Sequence, residues 1–162
     1  MNHRFGGSER SLNKMADYYK DGFLEAVMFA FYKNGKILIE HRPSKNNDEK
    51  EAFIPNGRID RSDLNKNDDY RIVALKREIN EEFNNNVKPL KFKYVMTFIV
   101  EKLKIRFYVY LVAEWSGEMP KFTIENSKKF ADLEWIKLKD YKKHLTLPSA
   151  VSVCENIIEK MG

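Results

Sequence analysis

A single cysteine, Cys154, stands in a chain of 162 residues, so no internal disulfide and no cysteine-rich metal cluster can form. No apolar run approaches the length of a membrane-spanning helix, and the N-terminus lacks a basic-then-apolar leader pattern. Internal repeats, low-complexity tracts and RNA-binding motifs are also missing. These absences argue against disulfide scaffolds and helical membrane proteins and lead us to expect a cytoplasmic protein. What remains is ordinary for a globular chain, with 43% hydrophobic and 33% charged residues. The length suits one domain with a real core.

Charge is unevenly spread. The net charge is +5, and residues 83–162 carry 14 Lys/Arg against 9 Asp/Glu, which accounts for all of it. A basic C-terminal half suits a site that attracts phosphate; the plainer reading is that scattered lysines keep the protein soluble.

Along the chain, residues 1–22 read as a polar N-terminal extension, with a short helix starting near Ser11, and residues 23–162 as the main domain. Glu25–Arg42 reads as a hairpin with an Asn34-Gly35 turn. A polar loop from Pro43 to Lys50 follows, then a short strand, Ala52–Ile54, leads into Pro55-Asn56-Gly57. Two long strands, 92–100 and 105–114, are expected to be central because both faces are apolar. Residues 120–129 read as a loop, 133–137 as a short last strand, and Pro148 onward as a helix that buries Val151, Cys154, Ile157 and Ile158. On that face Cys154 reads as a packed thiol. Strand pairs, a helix, more strands and a final helix imply an α/β (α+β) fold, a mixed sheet with helices on both faces.

The densest chemistry lies in Arg77-Glu78-Ile79-Asn80-Glu81-Glu82. On a helix, Glu78, Glu81 and Glu82 share one arc beside an apolar stripe of Ile72, Leu75, Ile79 and Phe83. Like charges at this spacing destabilise a bare helix by a few tenths of a kcal/mol per pair. A divalent cation bound by oxygens is the evident compensation.

With Gly57 upstream, this run resembles the Nudix box, G-x5-E-x7-R-E-U-x-E-E-x-G-U, where U is a bulky aliphatic residue. Arg77, Glu78, Ile79, Glu81 and Glu82 are in register. Asn84 stands at the second glycine, a mild change where a helix ends in a left-handed residue. The first half departs: Gly57 and Arg77 are 20 positions apart, about six more than in the motif, and Pro55-Asn56-Gly57 replaces the common Pro-Gly-Gly. Asp69 keeps the acidic residue's spacing to the helix and Asp63 its spacing to Gly57; we favour Asp69, which also suits a helix start. The insertion, Arg61–Asp68, is expected near the substrate.

The resemblance implies a Nudix-type α/β/α sandwich and a metal-dependent pyrophosphohydrolase. Its substrate would be a nucleoside diphosphate linked to a further group, such as a nucleoside triphosphate (oxidised ones included) or a dinucleoside polyphosphate. It implies Mg²⁺ or Mn²⁺ held by Glu78, Glu81, Glu82 and the Gly57 carbonyl. Arg77 would orient a glutamate, and the general base would be a box glutamate such as Glu81, or Glu125 or Glu118. Arg42 and Arg58 are candidate substrate contacts, although a strand-end arginine can equally be solvated. Among Phe53, Tyr94, Phe98, Tyr108 and Tyr110, one or two are expected to line a base pocket. A homodimer stays open, as do an inactive nucleotide-binding sensor and an RNA 5′-end pyrophosphohydrolase; nucleic acid is otherwise not expected as a partner.

Overall fold

The computed structural model describes residues 16–43 and 50–161. The expected helix near Ser11 and most of the polar loop before Lys50 lie outside them. Nine strands are described: β1 (Tyr19–Lys20), β2 (Phe23–Lys33), β3 (Lys36–Pro43), β4 (Lys50–Phe53), β5 (Asn56–Arg58), β6 (Lys88–Val100), β7 (Ile105–Ser116), β8 (Phe122–Glu125) and β9 (Lys128–Lys137). Three α-helices accompany them: α1 (Tyr70–Glu82), α2 (Tyr141–His144) and α3 (Pro148–Met161), with a 3-10 turn at Arg61–Asn65 before α1.

The sheet order is β6-β7-β2-β3-β9-β8, with β1 and β5 added to β2 and β4 added to β3. Among the described strands only β2 and β7 pair in parallel, from Leu24↔Ile105 to Phe31↔Val112, so the sheet is mixed as expected. The β2–β3 hairpin turns at Asn34-Gly35, with φ of 51° and 77°, the paired left-handed geometry that Asn-Gly supplies at low cost. Beyond Tyr32↔Ile37 the two strands part, and β5 and β4 occupy their flanks.

The central strand β2 shows why the helices sit on both faces. Its alternate residues Ala26, Met28 and Ala30 join one core with Val153, Cys154 and Ile157 of α3. Val27, Phe29 and Phe31 join the other, with Leu75, Ile79 and Phe83 of and after α1. A strand buried on both sides reads as a nearly unbroken apolar run, which Phe23–Lys33 is. The exception is Glu25, fully buried, which accepts from Tyr70 and Tyr108 hydroxyls at 2.8 Å and from Arg106 at 2.6 Å. That carboxylate ties β2 to β7 and to the first residue of α1.

Four expectations change. Of the two long strands, β7 is central but β6 is an edge, with Leu90, Tyr94 and Ile99 exposed, because only β7 pairs with it. Lysines at 88, 91 and 93 stud this edge, as charged residues do where pairing must be discouraged. Residues 120–129 are not a loop: β8 and β9 form a hairpin turned by Asn126 and Ser127 at φ of 55° and 63°. Consequently the last strand starts at Lys128, not Leu133. The stripe of α3 is Ala150, Val153, Cys154 and Ile157, leaving Ile158 exposed, because the contact is one narrow arc. There the Cys154 thiol is pushed up to about 12 by burial, then by the Glu155 charge, so it stays a packed thiol.

Candidate active site

Helix α1 starts at Asp69, whose side chain accepts from the backbone N–H of Arg71 at 2.9 Å. Its end is set by Asn84 and Asn85, both left-handed at φ of 53° and 64°. Between these caps the apolar stripe docks on the sheet and carries the three glutamates with it. They do not share one environment. Glu78 and Glu82 are 1% and 5% exposed, whereas the Glu81 side chain is 51% exposed. The helix is rolled so that two carboxylates face inward and the third faces solvent.

Glu78 meets the backbone of β5. A Cβ built on Gly57 would lie 2.0 Å from Oε1 of Glu78, so only a hydrogen fits between strand and carboxylate. This, and not a positive φ, is what glycine provides at position 57.

Arg77 organises the rest. It donates to Asp63 through Nε at 3.0 Å and Nη2 at 2.9 Å, to the Arg58 carbonyl at 2.9 Å, to Glu78 at 2.9 Å and to Glu81 at 3.2 Å. Burial works to lower its pKa, but the bond to Asp63 and the charges of Glu78, Asp63 and Glu81 raise it further, so it stays cationic. Of the two acidic candidates, it is Asp63, and not the favoured Asp69, whose carboxylate meets Arg77. Asp60 caps the 3-10 turn at Arg61–Asn65, and Asp63 is bonded back to the Asp60 N–H at 2.8 Å, which aims its carboxylate at Arg77. Asp69 is occupied by capping and by Arg71, which holds its carboxyl below the usual range. Truncating Asp63 to alanine should therefore cost about 2–4 kcal/mol in denaturant unfolding, since a two-bonded arginine loses its buried partner. Asp69→Ala should cost only the ~1 kcal/mol of a cap.

On the opposite face of the sheet lies a cavity of about 300 Å³, lined by residues including Met28, Arg42, Glu51, Phe53, Asn56, Phe98, Phe107 and Phe130. Arg42 faces it, but as a buried residue whose Nε donates to Glu40 at 2.6 Å and whose guanidinium lies 4.1 Å from the Phe53 ring centroid. It is not a solvated strand end. Of the expected aromatics, Phe53 and Phe98 line this cavity, the latter stacked on Phe107 at 5.1 Å. Tyr108 and Tyr110 belong to the core under α1, and Tyr94 sits exposed on the edge strand.

Arg58, the other candidate substrate contact, is buried. Alternation along β5 turns Asn56 and Arg58 to one face and Gly57 to the other. Its guanidinium is held by Asp17 at 2.6 Å, beside the Asp17↔Asp60 bridge, which ties it to the chain before β1. Glu125 ends β8, a strand that packs beside α1. The lining of the cavity includes no residue of the Arg61–Asp68 insertion. The sequence reading missed Asn56 and Glu51 as cavity residues; the replaced glycine in Pro55-Asn56-Gly57 was the available signal.

Among the described residues no three acidic or imidazole side chains are gathered as a ready metal cage. The donor set nevertheless fits a hard cation: two buried carboxylates one helical turn apart, one of them against a glycine backbone. Mg²⁺ keeps several waters and needs few protein oxygens.

The mixed sheet between α1 and α3, with the glutamate helix docked on β5, is the Nudix fold. The crystal structure of a MutT NUDIX hydrolase from Burkholderia pseudomallei is similar, with a TM-score of 0.62 and 20% identity over 82% of this chain and 96% of that one. The NUDIX domain of Shewanella oneidensis NrtR, solved with ADP ribose, has a TM-score of 0.63 and 16% identity over 96% and 99%. An ADP compounds hydrolase gives 0.64 and 12% identity over 85% and 72%. No family model and no curated protein matches the sequence.

Proposed function

We infer that this chain is a metal-dependent hydrolase of phosphoric anhydride bonds. Its substrate would be a nucleoside diphosphate carrying a further group, with a nucleoside triphosphate or dinucleoside polyphosphate as the best fit. One observation carries the reading: the three residues of β5 adjoin both halves of a site. Gly57 abuts the buried Glu78, and the neighbouring Asn56 lines an aromatic cavity shared with Arg42. A nucleotide whose base entered that cavity would have to extend past β5 to bring its phosphates to the glutamates on the other face.

Glu78, Glu82 and the Gly57 carbonyl would hold Mg²⁺ or Mn²⁺, which when bound neutralises phosphate charge and favours attack by water. Arg77, clamped by Asp63, fixes the Glu78 and Glu81 carboxylates by charge-assisted hydrogen bonds. Glu81, open to solvent, would take the proton of the attacking water, with Glu125 at the end of β8 as the alternative base. A cytoplasmic location belongs to the same reading.

A binding-only protein is the rival, favoured by the Arg77 bonds that already engage Glu78 and Glu81. Phosphate and pyrophosphate release should be followed over a panel of nucleoside triphosphates, dinucleoside polyphosphates and 5′-triphosphorylated RNA. Turnover that requires Mg²⁺ or Mn²⁺ and stops with chelator supports hydrolysis. Nucleotide binding without turnover of any substrate supports the rival.

A further inference from the structure

Asn56 stands where the motif it resembles has glycine, and nothing in the backbone demands it. It is not among the described residues with positive φ, and it pairs with Met28 as an ordinary strand residue. The side chain is 3% exposed and its orientation is determined by its bonding. Nδ2 donates to the carbonyl of Ile54 at 2.9 Å, and because a carbonyl can only accept, the amide nitrogen must face it. Oδ1 is thereby turned away, and it is buried with no hydrogen-bond partner. Buried acceptors without a partner are rare, and one beside a cavity calls for a donor from a ligand.

The cavity restricts that ligand. Its volume of about 300 Å³ lies at the lower end of the roughly 300–1,000 Å³ of small-molecule sites, and four phenylalanines, 53, 98, 107 and 130, give it flat walls suited to a planar ring. Asn56 and Glu51, both of which carry acceptor oxygens, are among its lining residues, as is Arg42, whose guanidinium engages Glu40. A group that only donates, and has two hydrogens to give, matches a pair of acceptors. An exocyclic amino group on a nucleobase is such a group.

We propose that Asn56 is a specificity-determining residue whose Oδ1 accepts from the exocyclic amino group of a base held in the phenylalanine-lined cavity. This rests on the nucleotide-hydrolase reading for the site as a whole and adds to it the class of base: amino-bearing, in preference to uracil or thymine.

The test is equilibrium binding by calorimetry of nucleotide pairs that differ only in the amino group. ATP is compared with purine riboside 5′-triphosphate, GTP with inosine triphosphate, and CTP with the 2-pyrimidinone riboside triphosphate; UTP is added. Wild type should bind the amino member of at least one pair on the order of 10-fold more tightly, the scale of one net hydrogen bond. Asn56→Ala should bind both members as weakly as wild type binds the one without the amino group. Equal affinity within every pair, no binding at all, a preference for UTP, or a preference that survives in Asn56→Ala overturns the proposal. The wild-type comparison alone decides the first three, whether or not the variant folds. Hydrolysis followed in parallel separates the two readings. An amino preference without turnover removes the hydrolase and leaves this assignment, and turnover without preference does the reverse.

Discussion

Glu82→Gln should lose about 10²–10³-fold in kcat, the scale on which removing one preorganised charged or hydrogen-bonding group from a reacting centre acts, while folding as well as wild type or better. The reason lies in how α1 is rolled. Glu82 is 5% exposed and shares its side of the helix with Glu78, one turn away and 1% exposed. Two buried carboxylates one turn apart repel each other, with Arg77 at 2.9 Å offsetting the charge of Glu78. Neutralising one relieves that repulsion and would remove a ligand of the proposed metal at once. Thermal melting in chelator should therefore show Glu82→Gln at or above wild type, and steady-state turnover with Mg²⁺ should show it nearly inert. Glu81→Gln offers the contrast: its side chain is half exposed and meets Arg77 at 3.2 Å, so removing it should leave melting unchanged. A Glu82→Gln protein that turns over nucleotide at the wild-type rate would remove Glu82 from the site.

Gly57→Ala is the second large effect, and it separates position from stability. The new methyl would fall 2.0 Å from Oε1 and 2.3 Å from Cδ of Glu78, which cannot be accommodated without moving that carboxylate. What it meets is a side chain and not backbone, so the fold can yield. A cost of about 1–3 kcal/mol is the usual range for overpacking. Activity should suffer far more than this, falling on the order of 10²-fold or beyond, because displacing a reacting group by about 1 Å is enough to do so. Measured together, a melting temperature lowered by a few degrees and a kcat/KM reduced by two orders of magnitude would support the contact as the reason for glycine. A variant as active as wild type would show that Glu78 works from somewhere else.

Much of this site could be read from the chain because its signals are local. The caps of α1, its apolar stripe and the register of Arg77 to Glu82 depend on residues within a few turns of one another, and helical periodicity exposes them. The Asn34-Gly35 hairpin is local in the same sense. The edge status of β6 was not legible: apolar alternation reports that two faces are covered but not whether a second strand lies alongside. Residues 120–129 were misread because Asn126-Ser127 is a weaker turn signal than Asn-Gly, although both residues adopt the same left-handed region.

The sequence by itself therefore determined that this protein carries a capped, amphipathic helix with three glutamates and an arginine, within a mixed α/β fold. Helix and hairpin are encoded over short distances, so no neighbour is needed to recognise them. Only the tertiary structure decided which glutamates are buried, that Asp63 and not Asp69 holds Arg77, that Arg58 is bound to Asp17, and that Asn56 faces an aromatic cavity. Each of those depends on how an element is rolled against its neighbours or on a contact between distant parts of the chain. Packing fixes these, and spacing along the chain does not record them.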